Sequence, residues 1–354
     1  MYPYVEIHVD EVLQNYAVVA EMAKAQDIQL SVVTKALTGY RPLVERLIGA
    51  GVGSIGEAHV PTLQGFADLA VEKWMIRLPM MSQVADVVRF ADVSLNSELT
   101  TMTALGEKAL DQGRTHKVVV MVDLGDRREG VMPEHLAGVC AAAMQLPGIE
   151  LYGVGVEFGC VSDIVPTPAA MDQFAELVRD VQNCLGMRLP VVSGGSSNGL
   201  DLLAANLLPD EVNHLRVGEA LLTGKVANLG TPLPGGCVNP FRLTAEIVEI
   251  EEKPSQPVGA RAPGQIPVAD DPRFPDRGTR RRALVAVGKQ DVGIHDLVPE
   301  DSAIIVEEGS SDVFVADITD STTAYHVGDV LRFGMDYFAI LPAMVSPFVE
   351  KRLV

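Results

Sequence analysis

The sequence predicts an α/β protein: a (β/α)8 TIM barrel followed by a smaller all-β domain. Through the first two-thirds of the chain, short β-branched or apolar runs alternate with amphipathic stretches that carry helix starts and stops. Eight such strand-plus-helix pairs in about 220 residues match the size of that barrel. After Asn228 the texture changes. Gly230, Pro232, Pro234, Gly235 and Gly236 punctuate a turn, and the runs beyond it are strand-like with almost no helical periodicity. The competing architecture is a doubly wound open sheet, but no GxGxxG follows the first strand.

The elements follow in order. An initial strand covers residues 4–9, and Asp10 is placed to cap a helix with Leu13, Tyr16, Ala17 and Ala20 on one face. Barrel strands are expected at 30–34, 54–55, 74–78, 93–95, 117–122, 150–156, 189–193 and 214–217. Pro42 suits the first turn of one intervening helix and Gly51 its end, and Ser82 and Ser97 suit N-caps of two others. In the last third, strands are expected at 241–251, 283–287, 303–307, 312–318 and 329–333, around a long Pro/Gly-rich loop over 254–282. The domains are therefore read as 10–228 and 229–354, the second joined by strand 1–9.

Composition narrows the function. With 354 residues, 47% apolar and 21% charged, the chain can bury a sizeable core. A net charge of −19 argues against nucleic acid or an anionic membrane as partner. Cys140, Cys160, Cys184 and Cys237 form no CxxC pair and suit reduced cytoplasmic thiols. The seven histidines form no HExxH or HxH cluster, so no metal is expected. The N-terminus has no apolar segment of signal-peptide type, and no apolar run approaches the ~18 residues of a membrane span.

Barrel active sites gather at the C-terminal ends of the strands. Lys35 ends the first barrel strand, Arg127 and Arg128 follow the fifth, and Glu157 the sixth. SGGSSNG follows the seventh, and HLRVGEALLTG covers the eighth. An ammonium at the end of a buried strand is costly unless paired or put to use, for example in an imine with an aldehyde. A Gly/Ser turn feeding a helix offers N–H groups and hydroxyls to a phosphate. The plain alternatives are a surface lysine and an ordinary capped turn. Taken together, the two features point to a phosphorylated aldehyde, and pyridoxal 5'-phosphate carries both groups.

The stretches VTKALTG, IRLPMMSQVADVVRFADVSLNSE, VVMVDLGDRREG, VSGGSSN, HLRVGEALLTG, IVEIEEKPSQPVG, AVGKQDV and FGMDYFAILPAMVSPFVEK span nearly the whole chain. With them the sequence resembles the alanine racemase superfamily of fold-type III pyridoxal-phosphate enzymes, in its ornithine racemase-like branch. The resemblance implies a homodimer with shared active sites and a two-base amino-acid racemase acting on ornithine, lysine or alanine. Lys35 would hold the cofactor and act as one base. Arg216 would face the pyridine nitrogen, and Ser196, Ser197, Gly218, Glu219 and Tyr337 would lie at the phosphate. Arg128 would lie near the ring oxygen and the substrate carboxylate.

Two departures stand out. Lys289, in AVGKQDVG, replaces the tyrosine that serves alanine racemases as second base. It is expected either to move the proton itself or to shape recognition with Asp291 while a group such as His295 does so. Glu157 stands where a neutral polar residue is usual, and it is expected to bind a distal substrate ammonium or to pair with Arg127. The alternatives on the same architecture are a pyridoxal-phosphate decarboxylase and a non-catalytic carrier of the cofactor. Arg216 argues against the decarboxylase, because an acidic residue occupies that position there. The large β-domain argues against the carrier.

Overall fold

A computed structural model describes every residue except Asn228. The chain divides into two units, Asp10–Val238 and Met1–Val9 with Asn239–Val354. The boundary expected at 228 falls on the residue outside those described, and the second unit starts at Asn239. Hydrogen bonds account for that position. The Asn15 side chain donates to the Cys237 carbonyl and accepts the Cys237 N–H, and Gln14 donates to the Gly235 carbonyl. The Gly/Pro turn is thereby fastened to the first helix of the barrel unit.

The chain opens with β1 (Tyr4–Ile7) and α1 (Val9–Lys24). The barrel then runs β2 (Gln29–Val33), α2 (Arg41–Gly49), β3 (Ser54–Glu57), α3 (Val60–Gly65), β4 (Glu72–Met75) and α4 (Val84–Phe90). It continues through β5 (Val93–Asn96), α5 (Leu99–Asp111), β6 (His116–Val122), α6 (Leu136–Met144), β7 (Ile149–Val156) and α7 (Pro168–Leu185). It ends with β8 (Val191–Ser196), α8 (Leu200–Ala204), β9 (His214–Val217) and α9 (Glu219–Thr223). Strands β2 to β9 pair in parallel and close, β9 onto β2.

Both faces of these strands are covered, which is why they read as apolar runs. In β6, Val118, Val120 and Val122 join the large core shared with the helices, whereas Val119 and Met121 join a smaller cluster with Trp74, Leu95 and Val191. That alternation is the period-2 pleat of a strand. Helix α7 shows its end signals in full: Thr167 accepts the Ala170 N–H, Pro168 occupies the first turn, and Gly186 takes the left-handed cap at φ 66°. Other caps differ from expectation. Gln83 and Glu98 precede α4 and α5 in place of Ser82 and Ser97, and neither makes a side-chain cap bond. Asp10 lies in the first turn of α1, where a carboxylate still favours the helix dipole.

The second unit holds β10 (Phe241–Pro254), β11 (Thr279–Val285), β12 (Leu297–Pro299), β13 (Ile305–Gly309), β14 (Phe314–Asp317) and β15 (Val330–Met335), then α10 (Tyr337–Val345) and β16 (Glu350–Leu353). The sheet order is β12-β15-β10-β11-β14-β13, and β1 joins it between β10 and β16. Strands β12 and β16 and helix α10 carry no sequence pattern that announces them. Two are short strands, and α10 is apolar all round with Pro342 inside it, so no stripe marks it. Because β10 pairs with β11 out to Pro254 and Thr279, the loop shrinks to 255–278. Its Asp271 is buried and accepts from both Arg261 and Arg273, which anchors the segment.

Candidate active site

Trp74 on β4 stacks on His214 of β9 with ring centroids 4.5 Å apart, although those strands are not neighbours. Both rings therefore lie inside the barrel. His214 hydrogen-bonds Ser31 and Ser193, each at 2.9 Å. Burial, with the Arg216 charge second, pushes its pKa down to about 3, so the ring is neutral.

Two residues along β9, Arg216 points to the same interior and is 2% exposed. Its Nη2 donates to the Val156 carbonyl and to Glu157 Oε2, both at 2.9 Å, and its Nη1 donates to Ser193 Oγ. Glu157, 8% exposed, is thus the ion-pair partner of Arg216. The expectation that it pairs with Arg127 is corrected: a guanidinium held inside the barrel needs a carboxylate there, and Glu157 at the end of β7 supplies it.

Lys35 comes from the strand beside Arg216. The register Ser31↔Arg216 and Val32↔Val217 brings Val33 next to Gly218. A Cβ on Gly218 would lie 2.6 Å from the Val33 carbonyl oxygen, so this approach requires glycine. Thr34 follows the strand, and Lys35 opens a 3-10 turn over Lys35–Leu37. The ammonium is half-buried and has no hydrogen bond or ion pair among the described residues.

After β8, Ser197 begins the 3-10 turn Ser197–Gly199. Its hydroxyl is buried and accepts the N–H groups of Gly218 and Ala220, both at 3.2 Å. The turn after β8 and the entry to α9, where Glu219 stands, therefore converge on one oxygen. Ser196 is half-buried beside it, and Gly195 takes φ 119°, a conformation that favours glycine. Asn198 donates to the Phe158 carbonyl at 2.6 Å, and its buried Oδ1 lacks a partner among the described residues.

Arg128 follows β6 and pairs with Glu129. Asp126 on the same loop accepts the N–H groups of Cys160, Val161 and Ser162 and the Ser162 hydroxyl. Burial works against that carboxylate, but these bonds hold it below its usual range and tie the loops after β6 and β7 together.

In the β-rich unit, Lys289 Nζ lies 2.9 Å from Glu308 Oε2, and His295 Nε2 lies 3.6 Å from Glu308 Oε1. The Lys289 hydrogen bond holds the Glu308 carboxyl below its usual range. Asp291 accepts from the Ser346 hydroxyl at 2.6 Å through Oδ1. Tyr337 opens α10 with its ring edge-on to Phe338. Sequence reasoning missed Glu308 and Glu57, and it read Ser193 only as part of the Gly/Ser turn. Glu57 carried a usable signal as a carboxylate ending a barrel strand, whereas Glu308 becomes relevant only once the sheet folds it onto Lys289.

The donor set fits a phosphorylated pyridine aldehyde. It comprises a half-buried amine with no partner among the described residues, a buried guanidinium one strand away, and a Ser/Gly turn with converging N–H groups. Known proteins carry the same plan. The solved alanine racemase of Clostridium difficile 630 superposes with a TM-score of 0.74 at 17% identity, covering 99% of this chain and 95% of that one. The D-threonine aldolase of Filomicrobium marinum superposes at 0.76 and 15%, covering 97% and 88%. These two show the fold. In sequence, the ornithine racemase of Acetoanaerobium sticklandii is 33% identical over the full length of both chains. The lysine racemase of Thermotoga maritima is 34% identical over 99% of this chain and 98% of that one. Since residues 7–225, the span that builds the barrel, also match the family model described as alanine racemase, N-terminal domain, the chain belongs to the alanine racemase family.

Proposed function

We propose that this protein is a pyridoxal-phosphate-dependent racemase that interconverts L- and D-amino acids by two-base transfer of the α-proton, with ornithine or lysine as preferred substrates and alanine as the small alternative. One observation carries the reading: the Lys35 amine, without a partner among the described residues, and the buried Arg216 guanidinium stand at the ends of adjacent strands. The naming of two full-length relatives as ornithine and lysine racemases supports it. When bound, the cofactor supplies an aldehyde that captures an amine and a ring that withdraws electrons from the α-carbon.

The chain's own groups do the rest. Lys35 holds the cofactor and exchanges a proton with the substrate α-carbon on one face. Arg216 would donate from its guanidinium to the ring nitrogen and so favour that nitrogen unprotonated. A ring nitrogen kept so would make the bound cofactor a weaker electron sink and would favour quick return of the proton to the α-carbon. Ser196, Ser197, Gly218, Glu219 and Tyr337 serve the phosphate, and Arg128 serves the substrate carboxylate. Lys289, oriented by Glu308, is the base on the opposite face. With Glu157 committed to Arg216, Asp291 is the better acceptor for a distal substrate ammonium.

A homodimer that shares its active sites belongs to the same reading, supported by the exposed Phe338, Val345 and Phe348 of the β-rich unit. A cytoplasmic location is supported by four free cysteines. No helix among the described residues is long and apolar enough to cross a membrane. The test incubates the enzyme with single L-amino acids in deuterated water. Deuterium entry with inversion is expected for ornithine or lysine, and Lys35→Ala is expected to lose both that and the visible absorption of the bound cofactor. Retention of the absorption by Lys35→Ala would refute the assignment.

A further inference from the structure

Glu57 ends β3, the strand beside Lys35, and none of the roles above uses it. It is 1% exposed. Thr34, the residue after β2, fastens it: its N–H donates to the Gly56 carbonyl at 2.9 Å, and its hydroxyl donates to Glu57 Oε1 at 2.5 Å. The other oxygen, Oε2, is buried without a hydrogen-bond partner among the described residues. Such an orphan is rare in native proteins. Burial pushes the carboxyl up to about 7, against the opposing pulls of the Thr34 hydroxyl, the Ala58 N–H and the charge of Lys35. Among the described residues, a buried carboxylate oxygen without a hydrogen bond thus lies within electrostatic reach of the half-buried Lys35 ammonium, which has none either. Thr34, covalently next to Lys35, holds the two together.

We propose that Glu57 is a positioning residue for Lys35, its Thr34-held carboxylate receiving the Lys35 ammonium each time Lys35 takes the α-proton of the substrate. The proton moves from the α-carbon to Lys35 Nζ, the bonding pair stays with the substrate, and Glu57 supplies only the opposite charge. The return step reverses this without a further reactant. The inference rests on the reading of Lys35 as cofactor anchor and base. A purely structural buried acid, held neutral by its surroundings, is the rival explanation.

The test uses the full-length holoenzyme in four forms: wild type, Glu57→Gln, Glu57→Asp and Thr34→Val. Without substrate, the absorption of the bound cofactor is titrated from roughly pH 6 to 9. With substrate, primary isotope effects are measured separately for the α-deuterated L and D forms. Glu57→Gln is expected to shift the pH midpoint of the absorption and to lower kcat about tenfold or more with KM within about twofold. Its isotope effect should rise only for the enantiomer whose proton Lys35 removes. Glu57→Asp should recover part of the loss, and Thr34→Val, which keeps the carboxyl but frees it, should show the same one-sided change in milder form. An unshifted absorption profile with kcat within about twofold of wild type would overturn the proposal. So would equal isotope effects for both enantiomers, which is the outcome the structural rival predicts. If Lys35→Ala keeps the cofactor absorption, the underlying reading of Lys35 fails; if it loses the absorption while Glu57→Gln changes nothing, this inference alone fails.

Discussion

Replacing Glu157 by leucine tests how the barrel tolerates the charge of Arg216. The guanidinium is 2% exposed, and Glu157 Oε2 at 2.9 Å is its ion-pair partner. After Glu157→Leu, the Ser193 hydroxyl and the Val156 carbonyl remain as acceptors, and neither carries charge. Removing one partner of a buried pair costs about 3–5 kcal/mol, because the remaining charge is stranded away from water. Trp74, the sole tryptophan, lies inside the same barrel and reports its unfolding by fluorescence in urea. The double change Glu157→Leu with Arg216→Met removes both charges and should regain most of the loss. A loss below about 1 kcal/mol for Glu157→Leu, the size of an exposed pair, would refute the picture of a desolvated guanidinium held by this carboxylate.

Acid should unfold the barrel early. Burial pushes His116 from 6.5 to about 4, so its stabilising contribution is complete above 6.5 and is lost as pH falls through 4. The magnitude is roughly 3 kcal/mol, and His116→Gln should flatten urea-midpoint curves over that window. Gly218→Ala places a Cβ 2.6 Å from the Val33 carbonyl oxygen. It should cost about 1–3 kcal/mol and, by displacing the end of β2 beside Lys35, lower kcat/KM. Lys289→Ala should cut inversion by about 100-fold or more while α-deuterium exchange with retention persists through Lys35. Equal loss of both would assign both proton transfers to one group.

The barrel was legible because its signals are local. Covered parallel strands must be apolar along their length, and the expected run at 214–217 coincides with β9. The β-rich third was legible in its longer strands, whereas β12, β16 and α10 lacked a periodic stripe because packing partners define them. Lys35 was legible in the same local way, as a charge closing an apolar run at the kind of strand end where barrels keep their chemistry.

Partnership was not legible. The sequence named Glu157 as a carboxylate at the barrel mouth, but only the closed barrel turns it onto Arg216 rather than Arg127. Thr34 and Glu57 are separated by 22 intervening residues, yet parallel pairing of β2 with β3 brings them to one hydrogen bond. Lys289 meets Glu308 by the same kind of sheet-imposed proximity. Residue type and strand ends determined which chemistry the chain can perform. The tertiary structure decided which charges meet, because ion pairs and buried hydrogen bonds depend on distances of a few ångströms that no spacing along the chain encodes.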